Sequence, residues 1–316
     1  MESSLKLALD RQGYRLIGEG GAVKVCHWCK ESLKTGRGCY KQRFYGIQSH
    51  RCIQMTPNVH QCNEMCLFCW RYQGYQLTND NPVDPAELVE GAVEAHRKLI
   101  VGWKGDPRVP RDKFEEAWNP DQVAISLSGE PTMYKHLQDL LVECHRRGLR
   151  TFLVTNGTGP AVLERLDPLP YQLYVTVAAQ NEDVFNRLCA PQTPRLWQNL
   201  NRTLALLPSL GCRTVIRHTL VKGWNLEDPD GFAALDAVAD PDFIEPKGYV
   251  WVGDSRNRLN PENMPTFAEI RAFSDRLAEL NGLTVLDGDP TSRVCLVGDL
   301  ATNRWVGNDP MPGSRG

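Results

Sequence analysis

Three thiols within eight residues constrain this chain more than any other feature. Cys62, Cys66 and Cys69 follow the spacing C-x3-C-x2-C, which puts three potential thiolate ligands on one tight loop and supplies no fourth. A four-coordinate zinc site and a fully ligated iron-sulfur cube each want one more donor. A 4Fe-4S cluster held by three cysteines would instead leave one iron open to a small molecule. His60 is the nearby side chain that would complete a zinc site, so both metals remain open on the loop alone.

The loop belongs to a wider enrichment. Of 11 cysteines in 316 residues, seven (Cys26, Cys29, Cys39, Cys52, Cys62, Cys66, Cys69) fall in the first 70. No apolar run approaches the roughly 20 residues that span a bilayer, and the N-terminus lacks a signal-type apolar core, so a cytoplasmic location is expected. In a reducing compartment, thiols at this density point to metal rather than to disulfides. Cys144, Cys189, Cys212 and Cys295 are scattered and read as ordinary buried thiols.

Cys26, Cys29, Cys39 and Cys52 precede the loop, with twelve residues between Cys26 and Cys39 and twelve between Cys39 and Cys52. Lys and Arg are interleaved among them, and positive neighbours favour the thiolate form that metals require. A second metal centre follows, either iron-sulfur or structural zinc. Cys26 and Cys29 also match the C-x-x-C redox spacing, but without the strand and helix of a thioredoxin-like unit. Charge is uneven as well. Residues 1–60 carry ten Lys/Arg against four Asp/Glu, while the whole chain nets -2. A basic front end suits a polyanionic partner such as nucleic acid. H-E-x-x-H, P-loop and nucleophile-elbow motifs are missing, which removes the usual supports for hydrolysis and phosphoryl transfer.

Residues 79–85 resemble a linker, and Pro85–Val101 has helical spacing with Leu88, Ala92, Ala95 and Leu99 on one stripe. Gly102–Lys113 reads as a basic, Pro-interrupted surface loop. From Asp121 onward, strands are expected at Val123–Leu127, Thr151–Thr155, Leu173–Val177, Arg213–Leu220, Phe243–Val252, Leu283–Leu286 and Val294–Val297. Helices are expected at Tyr134–Arg147, Arg195–Leu207, Phe232–Val238 and Phe267–Leu280. This alternation is the mark of βαβ units around a parallel sheet, either a full or partial barrel or a doubly wound open sheet. Arg213, Arg217 and Thr219 on one strand, and Glu245, Lys247 and Tyr249 on another, suit a lumen that binds something charged. Pro246 argues for the alternative, an exposed edge strand.

With Phe68 just before its last cysteine, the Cys62–Cys69 loop resembles that of the radical S-adenosylmethionine (SAM) enzymes. In that family the open iron chelates SAM, and an electron from the cluster cleaves it to a 5'-deoxyadenosyl radical. The resemblance narrows to the tRNA 4-demethylwyosine synthases of wybutosine biosynthesis, in the form without a flavodoxin-like domain. It rests on Cys39-Tyr-Lys41-Gln-Arg43-Phe-Tyr-Gly46, Ser49-His50-Arg51-Cys52, Gln54-Met55-Thr56-Pro57 and Cys69-Trp70-Arg71. Further along it rests on Ala124 to Thr132, Thr155-Asn156-Gly157, Lys247-Gly248-Tyr249 and Gly253-Asp254-Ser255-Arg256.

The resemblance implies a partial (β/α)6 barrel over 59–316, with an N-terminal cysteine-rich extension over 1–58. It implies a lyase that converts N1-methylguanosine at position 37 of tRNA(Phe), with pyruvate, to 4-demethylwyosine. Two 4Fe-4S clusters are implied, on Cys62, Cys66 and Cys69 and on Cys26, Cys39 and Cys52, the second holding pyruvate. Cys29 departs from the pattern and is taken as a spare thiol. Lys41 matches a lysine that forms a Schiff base with pyruvate. Phe68, Gly129, Glu130, Asn156 and Arg217 are the implied SAM-binding residues; Arg43 and Arg256 are the candidates for contact with substrate. Lys24, Lys30, Lys34, Arg37, Lys104, Arg108 and Arg111 are candidates for tRNA phosphates, and Tyr40, Phe44 and Tyr45 for base stacking or core. A monomer is expected, served by an external electron donor such as flavodoxin or ferredoxin.

Overall fold

The computed structural model describes residues 3–73 and 81–306. Most of the 79–85 linker lies inside that range, but its first two residues lie outside. Ten strands form one sheet in the order β1-β2-β3-β4-β5-β6-β7-β8-β10-β9. They are β1 (Arg15–Ile17), β2 (Gly21–Val23), β3 (Cys52–Thr56), β4 (Gln122–Ile125) and β5 (Arg150–Thr155). The other five are β6 (Gln172–Thr176), β7 (Arg213–Leu220), β8 (Phe243–Gly248), β9 (Thr284–Asp289) and β10 (Val294–Gly298). The six strands β3 to β8 run parallel. Antiparallel pairs flank them, β1-β2 on one side and β10-β9 on the other. The sheet is therefore a partial barrel with six parallel strands, as the resemblance implies, which decides among the barrel and open-sheet arrangements that the alternation alone allows. Strands β1 to β3 all precede residue 58, so the division expected there runs through a continuous sheet.

The helices are α1 (Ser3–Arg11), α2 (His27–Thr35), α3 (Tyr40–Tyr45), α4 (Pro85–Ile100), α5 (Arg111–Trp118), α6 (Leu137–Arg146), α7 (Pro160–Leu163), α8 (Glu182–Val184), α9 (Leu196–Leu206), α10 (Pro229–Ala239) and α11 (Phe267–Asn281). Helix α4 shows why these segments are helical. Asp84 caps it by accepting from the backbone N–H of Ala86 and Glu87, Pro85 occupies the first turn, and Leu88, Val89, Ala92, Ala95 and Ile100 bury one face. Replacing the Asp84 cap by Ala would cost about 1 kcal/mol. Helix α11 starts with a reciprocal capping box between Thr266 and Glu269 and stops at left-handed Gly282.

Three expectations are corrected. Gly102–Lys113 is not wholly a loop, because α5 begins at Arg111 and buries Phe114 and Ala117. The strand expected over Phe243–Val252 ends at Gly248; residues 250–252 are irregular and a short 3-10 turn covers Gly253–Asn257. Pro246 does not mark an edge. Strand β8 lies between β7 and β10; Pro246 is in register with His218 of β7, and the β10 register passes from Lys247 to Ile244 without pairing Pro246.

The main core lies between the sheet's outer face and the helices. A second, largely aromatic cluster fills the concave face: Phe152, Tyr174, Val215, Phe243, Val294 and Leu296 from successive strands, with Tyr40, Phe44, Tyr45 and Ile47 from α3 and just after it. Tyr40, Phe44 and Tyr45 are thus core residues, at 7%, 0% and 0% exposure, and not surface platforms for bases. Helix α3 sits inside the curve of the sheet. The C-terminal segment lies beneath it, with Val306 N–H donating to the Tyr45 carbonyl at 2.6 Å and Arg213 donating to the carbonyls of Asn303 and Arg304.

Candidate active site: two cysteine groups on one lumen

Cys62, Cys66 and Cys69 line a pocket at the carboxyl ends of β4 to β6, together with Phe68, Gly129, Glu130, Val154, Asn156 and Thr176. The loop is fixed by backbone bonds to an unusual neighbour. Residues Phe185–Cys189 form a π-helix ending at left-handed Ala190, a distortion that tends to mark functional sites. Met65 N–H donates to the carbonyls of Cys189 and Ala190, Leu67 N–H to Leu188, and Gln192 N–H to Asn63. On the other side Arg258 donates to the carbonyls of Leu67 and Cys69, Gln73 to that of Cys66, and Asp254 N–H to that of Trp70. Gly253, at φ 59°, lies where a Cβ would collide with the Trp70 carbonyl.

Gly129 sits at φ 87°, and a Cβ there would strike the carbonyl oxygen of Asn58. Only glycine lets the turn after β4 come so close. The buried Glu130 carboxylate accepts from Thr132 N–H at 3.0 Å, Thr132 Oγ1 at 2.7 Å, Thr155 Oγ1 at 2.6 Å and Asn156 N–H at 2.8 Å. Its side chain is fully engaged in joining the β4 and β5 loops, so what it offers the pocket is the position of its backbone. Asn156 is held in turn by Asn63 and Thr158.

The donor set fits a three-cysteine iron-sulfur cluster. Burial pushes the Cys62 thiol up to about 12, so bare thiolates are unfavourable there without a metal's charge. Buried Arg71 is the local counter-charge, its guanidinium favoured by all three cysteine sulfurs and donating to the Glu64 carbonyl at 2.7 Å. His60 does not line the pocket. Among the described residues, the potential metal-binding atoms gathered within 4.8 Å of one another belong to Glu64, Cys66 and Cys189. Cys189 is therefore not an ordinary scattered thiol; Cys189 and Arg258 are neighbours of the loop that spacing could not disclose, and Glu64, within the loop, is the acid that Cys66 Sγ meets at 3.1 Å.

The second group is assembled from three elements. Cys26 caps the start of α2, its sulfur accepting from Cys29 N–H at 3.2 Å. Cys39 precedes α3 and is held by Ser49, which accepts from Cys39 N–H at 2.9 Å and donates to its sulfur at 3.3 Å. Cys52 opens β3 and packs, like Cys39, against the aromatic lumen cluster. Burial raises the Cys26 thiol to about 11, and the neighbouring Cys39 adds to the rise; Cys52 moves in the same direction, from burial and then from Cys26 and Cys39. Three crowded thiols that repel one another as anions also fit a metal cluster. Cys29 is fully buried, donates to the His50 carbonyl at 3.7 Å, and packs with Leu33, Ile100, Phe114 and Ala117.

Beside this group, Lys41 lays its Nζ 3.8 Å from the Tyr174 ring centre and 5.5 Å from that of Phe152. Burial first, and Arg217 second, lower its amine to about 8. Arg217 does not line the cysteine-loop pocket; it pairs with fully buried Glu245 at 2.9 Å. That carboxylate also accepts from Tyr40 OH at 3.0 Å and Tyr45 OH at 2.7 Å. Arg43 likewise stays out of the lumen, ion-paired with Asp287 at 2.7 Å. Arg256 lies over Trp251, 4.8 Å from the ring centre. Lys30 and Lys34 flank Trp103 at 5.8 Å each, and Arg37 stacks on Trp28 at 5.4 Å. Lys24 sits 4.9 Å from the Trp70 ring centre, while Arg108 and Arg111 pair with Asp106 and Glu115.

The two groups share one lumen. Val154 and Thr176 line the cysteine-loop pocket; Phe152 and Tyr174, two residues earlier on the same strands, contact Lys41. Two residues of strand rise about 7 Å.

Comparison with known proteins agrees with this architecture. Residues 59–235 match the family model described as "Radical SAM superfamily", and residues 238–299 the one described as "Wyosine base formation". An S-adenosyl-L-methionine-dependent tRNA 4-demethylwyosine synthase of Pyrococcus horikoshii is 48% identical over 294 residues, covering 91% of this chain and 86% of that protein. The Homo sapiens synthase TYW1 is 38% identical over 287 residues, 88% of this chain and 38% of its own. Among solved structures, one described as TYW1 with a lysine-pyruvate adduct bound has a TM-score of 0.88 at 35% identity and covers 99% of both chains. A crystal structure of archaeal TYW1 has a TM-score of 0.82 at 32% identity, covering 97% of this chain and all of that one. A SAM-dependent radical fold, a three-cysteine pocket for one 4Fe-4S cluster and relatives of this closeness lead to one conclusion: the chain belongs to the tRNA 4-demethylwyosine synthase family of radical SAM enzymes.

Proposed function

We propose that this enzyme converts N1-methylguanosine at position 37 of tRNA(Phe), with pyruvate, to 4-demethylwyosine, and that its lumen carries out the steps in two layers. In the upper layer Cys62, Cys66 and Cys69 hold the cluster that binds SAM, while Gly129, Glu130, Asn156 and Phe68 shape the walls around it. When bound, this cofactor pair supplies the radical that removes a hydrogen from the methyl group. In the lower layer Cys26, Cys39 and Cys52 hold a second 4Fe-4S cluster, with Cys29 serving as core.

Lys41 is the condensing amine. Its nitrogen lone pair forms the bond to the ketone carbon of pyruvate, and the carbonyl oxygen leaves as water with the two amine hydrogens. Its Nζ lies against the Tyr174 and Phe152 rings, and burial with Arg217 nearby holds the amine at about 8 against the opposing pull of Glu245, Cys39 and Cys52. That placement, one layer below the SAM pocket, is the observation that carries the reading. The solved relative described with a lysine-pyruvate adduct supports it. The target base has to leave its stack for its methyl to reach this depth. Electrons come from a separate donor such as flavodoxin or ferredoxin. No helix among the described residues is long and apolar enough to cross a membrane.

The test is an anaerobic reaction of reconstituted enzyme with SAM, a reductant, 13C-labelled pyruvate and tRNA with or without the N1-methyl group. Labelled tricyclic nucleoside should appear only with methylated tRNA and should vanish in Lys41→Ala. Deoxyadenosine release with no labelled nucleoside from methylated tRNA would overturn the assignment.

A further inference from the structure

Cys189 has no part in the chemistry above, yet it lines the cysteine-loop pocket. It ends the π-helix Phe185–Cys189, and the backbone holds it against the loop in the manner of two antiparallel strands. Glu64 bridges Pro191, Met65 N–H donates to the Cys189 and Ala190 carbonyls at 3.1 Å, and Leu67 N–H donates to the Leu188 carbonyl at 2.9 Å. Cys66 lies between those two donors, and its sulfur is within 4.8 Å of the Cys189 sulfur, with the Glu64 carboxylate completing the group. Neither Cys62 nor Cys69 belongs to it.

The backbone bonds that pair the two segments do not pass through a metal, so the pairing outlasts the cluster. While an iron holds the Cys66 sulfur, that sulfur is not available to Cys189; once iron is lost, it is. Opposed residues of an antiparallel pair stand close enough for a disulfide with small side-chain adjustment. Exposure divides their roles. Cys66 is half-buried on the pocket wall and Cys189 is 3% exposed, so an oxidant entering the pocket meets Cys66 first and leaves Cys189 as its neighbour in reserve.

We propose that Cys66 and Cys189 form a reversible oxidation site: when peroxide strips the cluster, the pair closes to a disulfide that spares the ligand thiol from irreversible oxidation. The proposal rests on Cys66 being a ligand of the SAM-binding cluster. Peroxide transfers one oxygen to the Cys66 sulfur, giving a sulfenic acid and one water. The Cys189 sulfur then bonds to the Cys66 sulfur, and the hydroxyl leaves with the Cys189 proton as a second water. The two thiols give up two electrons and peroxide accepts them. Cluster and disulfide exclude each other, so a thiol reductant must reopen the bond before iron returns.

Peroxide titration of the reconstituted holoenzyme tests this. Free thiols are blocked without reductant, Glu-C and tryptic peptides are sequenced by tandem mass spectrometry, and iron and acid-labile sulfide are followed in parallel. Wild-type enzyme should form a Cys66–Cys189 cross-link in step with iron loss, and dithiothreitol followed by reconstitution should restore most of its iron. Cys189→Ser and Cys189→Ala should load iron as wild type does before peroxide, accumulate sulfinic and sulfonic acid at Cys66 after it, and recover about threefold less iron. Cys66 joined to Cys62 or Cys69 instead, or equal recovery in wild type and both variants, would overturn the proposal. A cross-link that appears with all iron retained would instead remove the ligand role of Cys66, the reading beneath it.

Discussion

The two cysteine groups are brought together by opposite routes. Cys62, Cys66 and Cys69 are set by eight consecutive residues, and the fold adds clamps from Arg258, Gln73, Asp254 and the π-helix. Cys26, Cys39 and Cys52 come from the start of α2, the start of α3 and the first residue of β3, so they form a group only when those elements are packed. A contiguous loop can be recognised by spacing. A distributed group depends on its walls: Cys29 packs against Leu33, Ile100, Phe114 and Ala117 while its thiol also feels Cys26, Cys52 and Cys39.

The sharpest way to break this contrast is to delete each group. Replacing Cys62, Cys66 and Cys69 by Ala should abolish deoxyadenosine formation while tRNA affinity stays within about twofold, since the basic residues proposed to contact phosphate lie outside this loop. Replacing Cys26, Cys39 and Cys52 should remove about half the iron and all labelled nucleoside yet leave SAM cleavage detectable. Loss of cleavage in both variants would show that the groups are not separable. Iron and acid-labile sulfide analysis beside a deoxyadenosine assay reads both.

Next comes the wall of the upper pocket. Gly129→Ala combines a strained φ with a collision against Asn58 and should cost roughly 3 kcal/mol, seen as a lower urea midpoint together with weaker SAM binding; a neutral result would mean the β4 turn is not held as described.

Acid should distinguish the walls. Buried His96 bonds the Ala117 carbonyl at 3.1 Å and so latches α4 to α5, the layer behind Cys29. Burial lowers its pKa to about 4, so its contribution is complete above the unfolded value near 6.5 and is lost as pH falls toward 4, by at most about 1.4 kcal/mol per pH unit. Protection factors of the α5 amides, taken against the intrinsic exchange rate at each pH, should fall between pH 6.5 and 5, and His96→Gln should flatten that dependence. The smallest effect is expected from Cys29→Ala, about 1 kcal/mol of stability from lost packing with iron content unchanged; a drop in iron would make Cys29 a ligand.

The same contrast explains what the sequence reveals. Five of the six parallel strands, β4 to β8, and α4, α6, α9, α10 and α11 are legible from their apolar residues; β3, Cys52–Thr56, is not, because it lies inside the cysteine-rich stretch and has the sequence CIQMT. Helix α5 is hidden in a charged, Pro-flanked stretch that buries just Phe114 and Ala117, and the three-residue strands β1 and β2 are too short for any period to show. Residue types in contiguous motifs, such as Cys62 to Cys69 and Ser128 to Thr132, point to the upper pocket. The partners do not: Arg258 meets a loop 189 residues earlier, and Arg43, basic and apparently available, finds Asp287 across 244 residues. Arg217 and Glu245 are visible as polar residues on strands, but their pairing follows from the register of β7 with β8, which no local pattern encodes.

Helix α3 lies in the hollow of a sheet whose two outermost strands, β1 and β9, never meet. It reaches β5, β6 and β8 through Lys41, Tyr40 and Tyr45, and β9 through Arg43. The piece that seals the roll is thus the piece that bears Lys41, the amine proposed to condense with pyruvate. Assembly and competence become a single event: a chain caught half-folded has no amine in position, and loosening the seal withdraws the reactive nitrogen along with it.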